Sequence, residues 1–528
     1  MNTKIKNFLF IIPLLIISFY YSIYQFESQS AVDGGLILSE LVKFPEIFSN
    51  ITSIFYNGWT ILHHFTFILL KLGCSVDLVS TILIFIITFF YTLGIYLLVI
   101  GLNQSKILAL LLALIVIISR ENFGSVDYPV LYFSEHTYGA FSLSAFTLIA
   151  GLLSNNNYKS AGFVSLLLLS SHLVVGLWVI LILFISYFFS LFFLKNDEIR
   201  NYQKIIFGSL IIMIPIIISF LFFRYNVIDK STYNIEDFNI YLDQWDHHRN
   251  IIEINFDYIV KTILLIFILS IYFFYYHNKK AQIFYLFILF SSFISLFIYL
   301  IVKLFPEFIP SFIVRAMPTR VFLLHSVIGY PIIISVIYFL IKKRLFDFLN
   351  FSNKIKFITI ISLSLLIIIS IGINFDKVKL RYLEVKEIFT HGYNKEEKIF
   401  WDKINKIKTD GYFITGFESS GPLLRYARKP YLINTTYFDH IPYHPYTVSE
   451  TRIIIEEIYG ISFTNPPIKF LGVLLDDWYK ENFENRYYSE WLELSKKYNI
   501  SGIIVPSDWK LDLQNKIISN KFTAYIIN

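Results

Sequence analysis

Residues 257–304 read DYIVKTILLIFILSIYFFYYHNKKAQIFYLFILFSSFISLFIYLIVKL, two apolar runs (257–277 and 281–304) divided by a short turn carrying Lys279 and Lys280. A helix that crosses a bilayer needs about 20 apolar residues, and each run supplies them. Lys and Arg stay cytoplasmic because translocating them is costly, so the turn marks the inner side of a membrane. The same rhythm extends in both directions. Further runs of spanning length lie at 7–24, 77–101, 203–224, 319–341 and 356–374, and shorter ones at 106–119 and 138–153. The stretch from Ser160 to Leu194 is too long for one crossing and holds two, broken near Ser170-Ser171-His172. The reading is a polytopic α-helical membrane protein of about eleven spans, with its N-terminus cytoplasmic.

The loops come in two alternating kinds. Lys4/Lys6, Lys106, Lys159, Lys195/Arg200/Lys204, Lys279/Lys280 and Lys342/Lys343/Arg344 are basic and read as cytoplasmic. Between them, Asp33/Glu40, Asp127/Glu135/His136 and Asp243/Asp246/His247/His248 carry carboxylates, histidines and aromatics, and read as outward-facing. The outer loops are 25–76, 120–137 and 225–256. Counting 58–73 as a span would invert every later basic loop. That segment, with Trp59, His63 and His64, therefore reads as an interfacial helix, as does 36–48.

Of the 528 residues 55% are hydrophobic and only 16% charged, where soluble domains run near ~25%. The net charge of +6 is spread over the short basic loops, so no clustered basic face for nucleic acid is expected. A single cysteine, Cys74, excludes an intrachain disulfide and a Cys-based zinc site. The long apolar run 7–24 lacks a small-x-small cleavage site and reads as a retained first helix rather than a signal peptide. These features place the chain in a bacterial inner membrane. Residues 1–374 form the transmembrane part. After 374 the hydrophobic runs shorten to strand length at Tyr412–Thr415, Tyr431–Asn434, Gly502–Val505 and Thr523–Ile527, alternating with helical stretches 394–408 and 488–498. Residues 375–528 thus read as an extracytoplasmic α/β domain.

The candidate chemistry lies in the outward loops. Asp33 follows the first helix and precedes Gly34-Gly35, which permit unusual backbone angles; it suits a general base, or is a solvated residue of an Asp-Gly turn. Asp127, Glu135 and His136 could hold a divalent cation or simply cap a helix, and no other cofactor is implied. His172 is an ionisable group within an apolar run, or an interfacial residue at the helix break. His247, His248 and Arg249 offer phosphate or metal contacts. Arg315 and Arg320 bring the planar fork that suits phosphate, or snorkel at the membrane edge.

Asp246-His247-His248-Arg249, the helix start Pro318-Thr319-Arg320, Ser171-His172 with Gly176, and two tail segments carry a resemblance. Those segments are Gly411-Tyr412-Phe413-Ile414 followed by Arg425-Tyr426-Ala427-Arg428-Lys429-Pro430, and Tyr498 to Val505. With the architecture, they resemble the type-C (GT-C) glycosyltransferase superfamily, in poorly characterised bacterial members. The resemblance implies transfer of a sugar from a polyprenyl-phosphate donor to an envelope glycan, lipid or protein acceptor on the outer face. Asp33 would be the base, Glu135 or Asp127 the second-loop acid, and Arg315, Arg320 or His248 the donor-phosphate ligands. The first loop departs from the family pattern: Asp33 stands alone, with Glu40 seven residues on, in place of a paired acidic motif. An O-antigen-type polymerase or ligase, a transport protein and a non-catalytic membrane protein stay open as alternatives.

Overall fold

The computed structural model describes residues 3–24, 29–45, 60–103, 105–119, 137–193, 200–211, 234–246, 256–276, 282–305, 327–341, 395–417, 421–433 and 445–527, with a few single positions between them. The chain is mostly helical, with one small sheet. In its first 341 residues the helices include α1 (Thr3–Tyr24), α2 (Ala31–Leu38), α3 (Ile61–Lys71), α4 (Val76–Asn103), α5 (Lys106–Ser119), α6 (Thr137–Ser154), α7 (Tyr158–Ser171), α8 (Leu173–Phe193), α9 (Ile235–Gln244), α10 (Phe256–Tyr276), α11 (Gln282–Leu304) and α12 (Gly329–Leu340), and residues 200–211 are helical as well. Among the described residues four helices are long and apolar enough to cross a membrane: Val76–Asn103, Thr137–Ser154, Leu173–Phe192 and Ile283–Ile301. The predicted break at His172 is present, since α7 ends at Ser171 and α8 begins at Leu173. Of the predicted run 319–341, Gly329–Leu340 is helical, with Pro331 in its first turn, where a missing N–H costs nothing, and 319–323 lie outside the described residues. The predicted run 356–374 lies outside the described residues.

The bundle is organised around α6, every residue of which is buried. Small residues let its backbone meet that of α4. A Cβ on Gly94 would sit 2.7 Å from Leu148 N, and one on Gly151 2.3 Å from Gly94 O. Close backbone approach through small residues is how apolar helices associate where no hydrophobic driving force separates them from lipid.

The C-terminal part adds α13 (Lys395–Asn405), β1 (Tyr412–Thr415), α14 (Gly421–Arg425), α15 (Val448–Ile454), α16 (Lys480–Glu484), α17 (Tyr488–Tyr498), β2 (Ile500–Pro506), β3 (Lys516–Ile518) and β4 (Phe522–Ile526). The strand order is β1-β2-β4-β3, with β1 and β2 parallel and the other pairs antiparallel. Of the predicted strand at 431–434, the described residues 431–433 contribute a bridge, Tyr431 to Phe413. Alternation along the strands gives the sheet two buried faces. Phe413, Ile504 and Ala524 share a cluster with the helical bundle. Tyr412, Ile414, Ile503, Val505 and Tyr525 join a second cluster with Trp491 and with Phe238, Tyr241 and Trp245 of the α9 region. There Trp245 stacks on Phe438 at 4.3 Å and donates to Phe463 O at 2.7 Å, while Asp237 accepts from Arg452 Nη1 at 2.8 Å.

Candidate functional site

At one end of the bundle, the start of α2 is stitched to the starts of α4 and α6. Gln29 N donates to Ser80 Oγ at 3.1 Å, and Ala31 N donates to Thr137 Oγ1 at 3.2 Å. Thr137 in turn donates from Oγ1 to Gln29 Oε1 at 3.1 Å. The hydroxyl of Thr137 therefore satisfies an N–H that the first turn of a helix leaves open. Asp33 lies in that first turn, where the helix dipole favours a negative charge. This corrects the sequence reading of Asp33 as part of a solvated Asp-Gly turn. Gly34 and Gly35 are helical, and their role is close packing. A Cβ on Gly34 would fall 2.4 Å from the His63 ring, and one on Gly35 2.5 Å from Thr66 Oγ1 and 2.8 Å from Phe67 N. On α3, Thr66 Oγ1 donates to Ala31 O at 3.0 Å, and His63 Nε2 lies 2.6 Å from the Tyr138 hydroxyl of α6.

The partner of Asp33 comes from 392 residues further along the chain. Arg425 donates from Nε to Asp33 Oδ1 at 2.7 Å and from Nη2 to Oδ2 at 2.8 Å. The two side chains are only 4% and 3% exposed. This fork-to-fork geometry is the strongest form of ion pair. Arg425 ends the short helix α14, and Gly421 at its start leaves room for the guanidinium, which a Cβ there would meet at 2.9 Å. Next to it, Tyr426 donates to Asp77 Oδ1 at 3.0 Å at the start of α4. Phe44 is wedged edge-on against Tyr412 and Tyr431, with ring centroids 6.2 Å away in each case, and Tyr412 donates to Pro45 O at 2.8 Å.

Beyond α14 the chain turns at Arg428, whose φ is +55°. Lys429 N donates to Leu423 O at 3.2 Å, closing the helix end in the manner for which glycine is the usual turning residue. Nη1 of Arg428 is buried and has no acceptor among the described residues. Burial pulls its guanidinium below the usual arginine value, while the Asp33 carboxylate, which lies within electrostatic range, and Tyr426 oppose this. Lys429 donates to Ile407 O.

Of the residues singled out from sequence that lie among the described residues, Asp33 alone enters this cluster. Glu40 is exposed, in ion-pair range of Lys43 at 3.7 Å, and at φ +58° closes the end of α2, with Leu41 N donating to Leu36 O at 3.0 Å. Of the predicted interfacial stretch 36–48, the residues to Leu38 are helical and 39–45 are not, and 46–48 lie outside the described residues. His172 sits at the junction of α7 and α8, where Nδ1 accepts from Val175 N at 3.4 Å. Asp246 is buried beside Trp245, which packs on the sheet face opposite Phe413 and Ile504. Asp127, Glu135, His247, His248, Arg249, Arg315 and Arg320 lie outside the described residues. Among the described residues no group of three or more His, Cys, Asp or Glu converges to hold a metal ion.

Arg425, Arg428, His63 and Tyr138 are the residues that sequence reasoning did not single out as a site. One signal was legible. Arg425, Arg428 and Lys429 put three basic residues within five in a part of the chain read as extracytoplasmic, and such a run, unlike a short cytoplasmic loop, has no topological reason to be basic. Neither a protein-family model nor a curated protein matches the chain.

Proposed function

We propose that this chain is a multi-pass membrane glycosyltransferase of GT-C type, with about eleven spans, its N-terminus cytoplasmic and its C-terminal α/β part outside a bacterial inner membrane. It would transfer a sugar from a polyprenyl-phosphate donor to an envelope glycan, lipid or protein acceptor. The observation that carries this reading is the junction at Asp33. One buried carboxylate stands among two guanidinium groups, an imidazole and a phenol, where α2, α3 and α6 meet the C-terminal part.

The chemistry needs three things of such a place. The acceptor hydroxyl attacks the anomeric carbon and loses its proton to the Asp33 carboxylate. The bond from that carbon to the phosphate oxygen breaks, and the electron pair leaves with the polyprenyl phosphate. Arg425 and Arg428 stabilise the charge on that leaving group. Asp33 can act as the base only when Arg425 has released it.

The bidentate pairing favours a second reading, in which Asp33 is a structural latch in a non-catalytic protein. The experiment that separates the two compares the envelope glycans of cells lacking the protein with those of cells complemented by wild type, Asp33→Asn or Tyr426→Phe. Transfer requires that the first variant, inserted at wild-type level, fail to restore the missing glycan while the second restores it. Unchanged glycans on deletion would overturn the transferase reading.

A further inference from the structure

At the other end of the bundle two lysines reach across a helix crossing, each onto an aromatic ring of the other segment. α6 starts at Thr137, in the corner that holds Asp33, and ends at Ser154, just before α7. Its 18 residues cover about 26 Å at ~1.5 Å each, close to the ~30 Å of a hydrocarbon core. The first turn of α7 therefore lies on the opposite side of the bundle from Asp33. There the helical segment 200–211 packs on α7 backbone to backbone. A Cβ on Gly162 would collide with Ile205 O, and one on Gly208 with Lys159 O, while Ser209 Oγ donates to Gly162 O at 3.0 Å. Lys159 Nζ lies 5.0 Å from the ring centroid of Phe207, and Lys204 Nζ lies 5.9 Å from that of Tyr158. Both lysines are exposed, and Lys204 donates to the neutral Asn201 Oδ1 at 2.9 Å. Among the described residues neither meets a carboxylate.

Two ammonium groups gathered at one crossing raise the local positive potential and suit an anion. Read from the sequence, Lys159, Lys195, Arg200 and Lys204 stand against Asp197 and Glu198, so this corner keeps an excess of positive charge. The surface beside the lysines is apolar: Ile206, Phe207, Leu210 and Ile211 are each more than half exposed. A phosphate that carries acyl chains matches both parts, charge against the lysines and hydrocarbon against the apolar row. A free phosphate would leave that row uncovered. We propose that the crossing of α7 with residues 200–211 binds an anionic phospholipid, its phosphate held by Lys159 and Lys204 and its chains lying along Phe207, Leu210 and Ile211. In the topology proposed above this lipid belongs to the cytoplasmic leaflet. The inference rests on that membrane placement and on no feature of sugar transfer.

The test is native mass spectrometry of the full chain, delipidated in detergent and titrated with phosphatidylglycerol, phosphatidylcholine or water-soluble glycerol 3-phosphate. Each lysine near an anionic lipid is worth about fivefold in affinity, so wild type should prefer phosphatidylglycerol to phosphatidylcholine by about 25-fold. Lys159→Gln and Lys204→Gln should each reduce that preference about fivefold, and the double variant should abolish it. Lys516→Gln removes the same charge from an exposed strand position outside the site and should leave the preference unchanged. Replacing both lysines by arginine keeps the charge and should preserve it. No preference in wild type, a wild-type preference in the double Gln variant, or an equal loss in Lys516→Gln would each overturn the inference. Glycerol 3-phosphate bound as tightly as the lipid would overturn it too, by assigning the site to a free phosphate. If the double variant does not fold, the single variants decide, and an unchanged preference in both counts against the site. A chain soluble without detergent would instead overturn the membrane placement, which is seen before any titration. Glycans are not read here, so this outcome and that of the glycan comparison are independent.

Discussion

Gly34 rests against the imidazole of His63 so closely that a single added methyl would lie 2.4 Å from two ring carbons. The contact fixes how near α2 can lie to α3, and it sets Asp33 at its depth. Gly35 is tighter in kind, because its neighbours include the backbone nitrogen of Phe67 at 2.8 Å, which cannot rotate away. Gly35→Ala is therefore expected to destabilise the protein by about 1–3 kcal/mol, the range for overpacking. Gly34→Ala should cost less if the His63 ring can turn. Thermal melts in detergent, with a Tyr138→Phe background to free the ring, check the order of the two.

Removing Arg425 takes from a buried carboxylate its bidentate partner. Arg425→Met should cost about 3–5 kcal/mol, and the double variant Asp33→Leu with Arg425→Met should recover much of it, since a well-packed apolar pair often replaces a buried ion pair at little loss. A double-mutant cycle on melting free energies reads the coupling. Additive single effects would show that the two side chains do not stabilise one another.

Glu40 closes α2 in a left-handed conformation, with its side chain in solvent. Glu40→Gly should stabilise the protein by about 0.5–1 kcal/mol, because glycine reaches that region without a Cβ clash. The exposed contact to Lys43 contributes little to set against this gain. A rise in melting temperature confirms the sign, and a fall would show that the acid is needed.

Glu450 on α15 is held above the usual glutamate range by burial. A carboxyl whose folded value is raised binds its proton more tightly in the native state than in the unfolded one. Its contribution is most favourable below the unfolded value and is lost as pH rises through the folded one. Glu450→Gln should therefore be more stable than wild type at neutral pH, and the advantage should vanish on acidification. Unfolding of the two proteins followed across that pH range checks it.

Much of the helical framework was legible because apolar length is a local property. The runs 77–101, 138–153 and 281–304 correspond to α4, α6 and α11 within a few residues, and His172 does break the run that was too long. The strands at 412–415 and 502–505 were legible from length and composition, whereas β3, with only Ile517 and Ile518 as its apolar residues, was not. The site was half legible. Position after the first helix pointed to Asp33, but the Asp-Gly-Gly sequence looks like a turn, and only the packing of α2 on α3 explains why two glycines sit inside a helix. Arg425 stood in a quoted segment without a role, since nothing local links it to a carboxylate on another element. Arg428 was hidden for a further reason: its left-handed conformation is imposed by the end of α14, not announced by a glycine.

The sequence distance between Asp33 and Arg425 also has a consequence in time. At a sequence separation of 392 and synthesis at roughly 5–20 residues per second, the carboxylate waits on the order of 20–80 s for its counter-ion. During that interval α2 has its glycine contacts with α3 but not the charge that makes burial of Asp33 tolerable. Closure of this corner of the protein is therefore a late event in assembly, and a ribosome stalled before residue 425 would leave the first acidic loop open to water and to proteases.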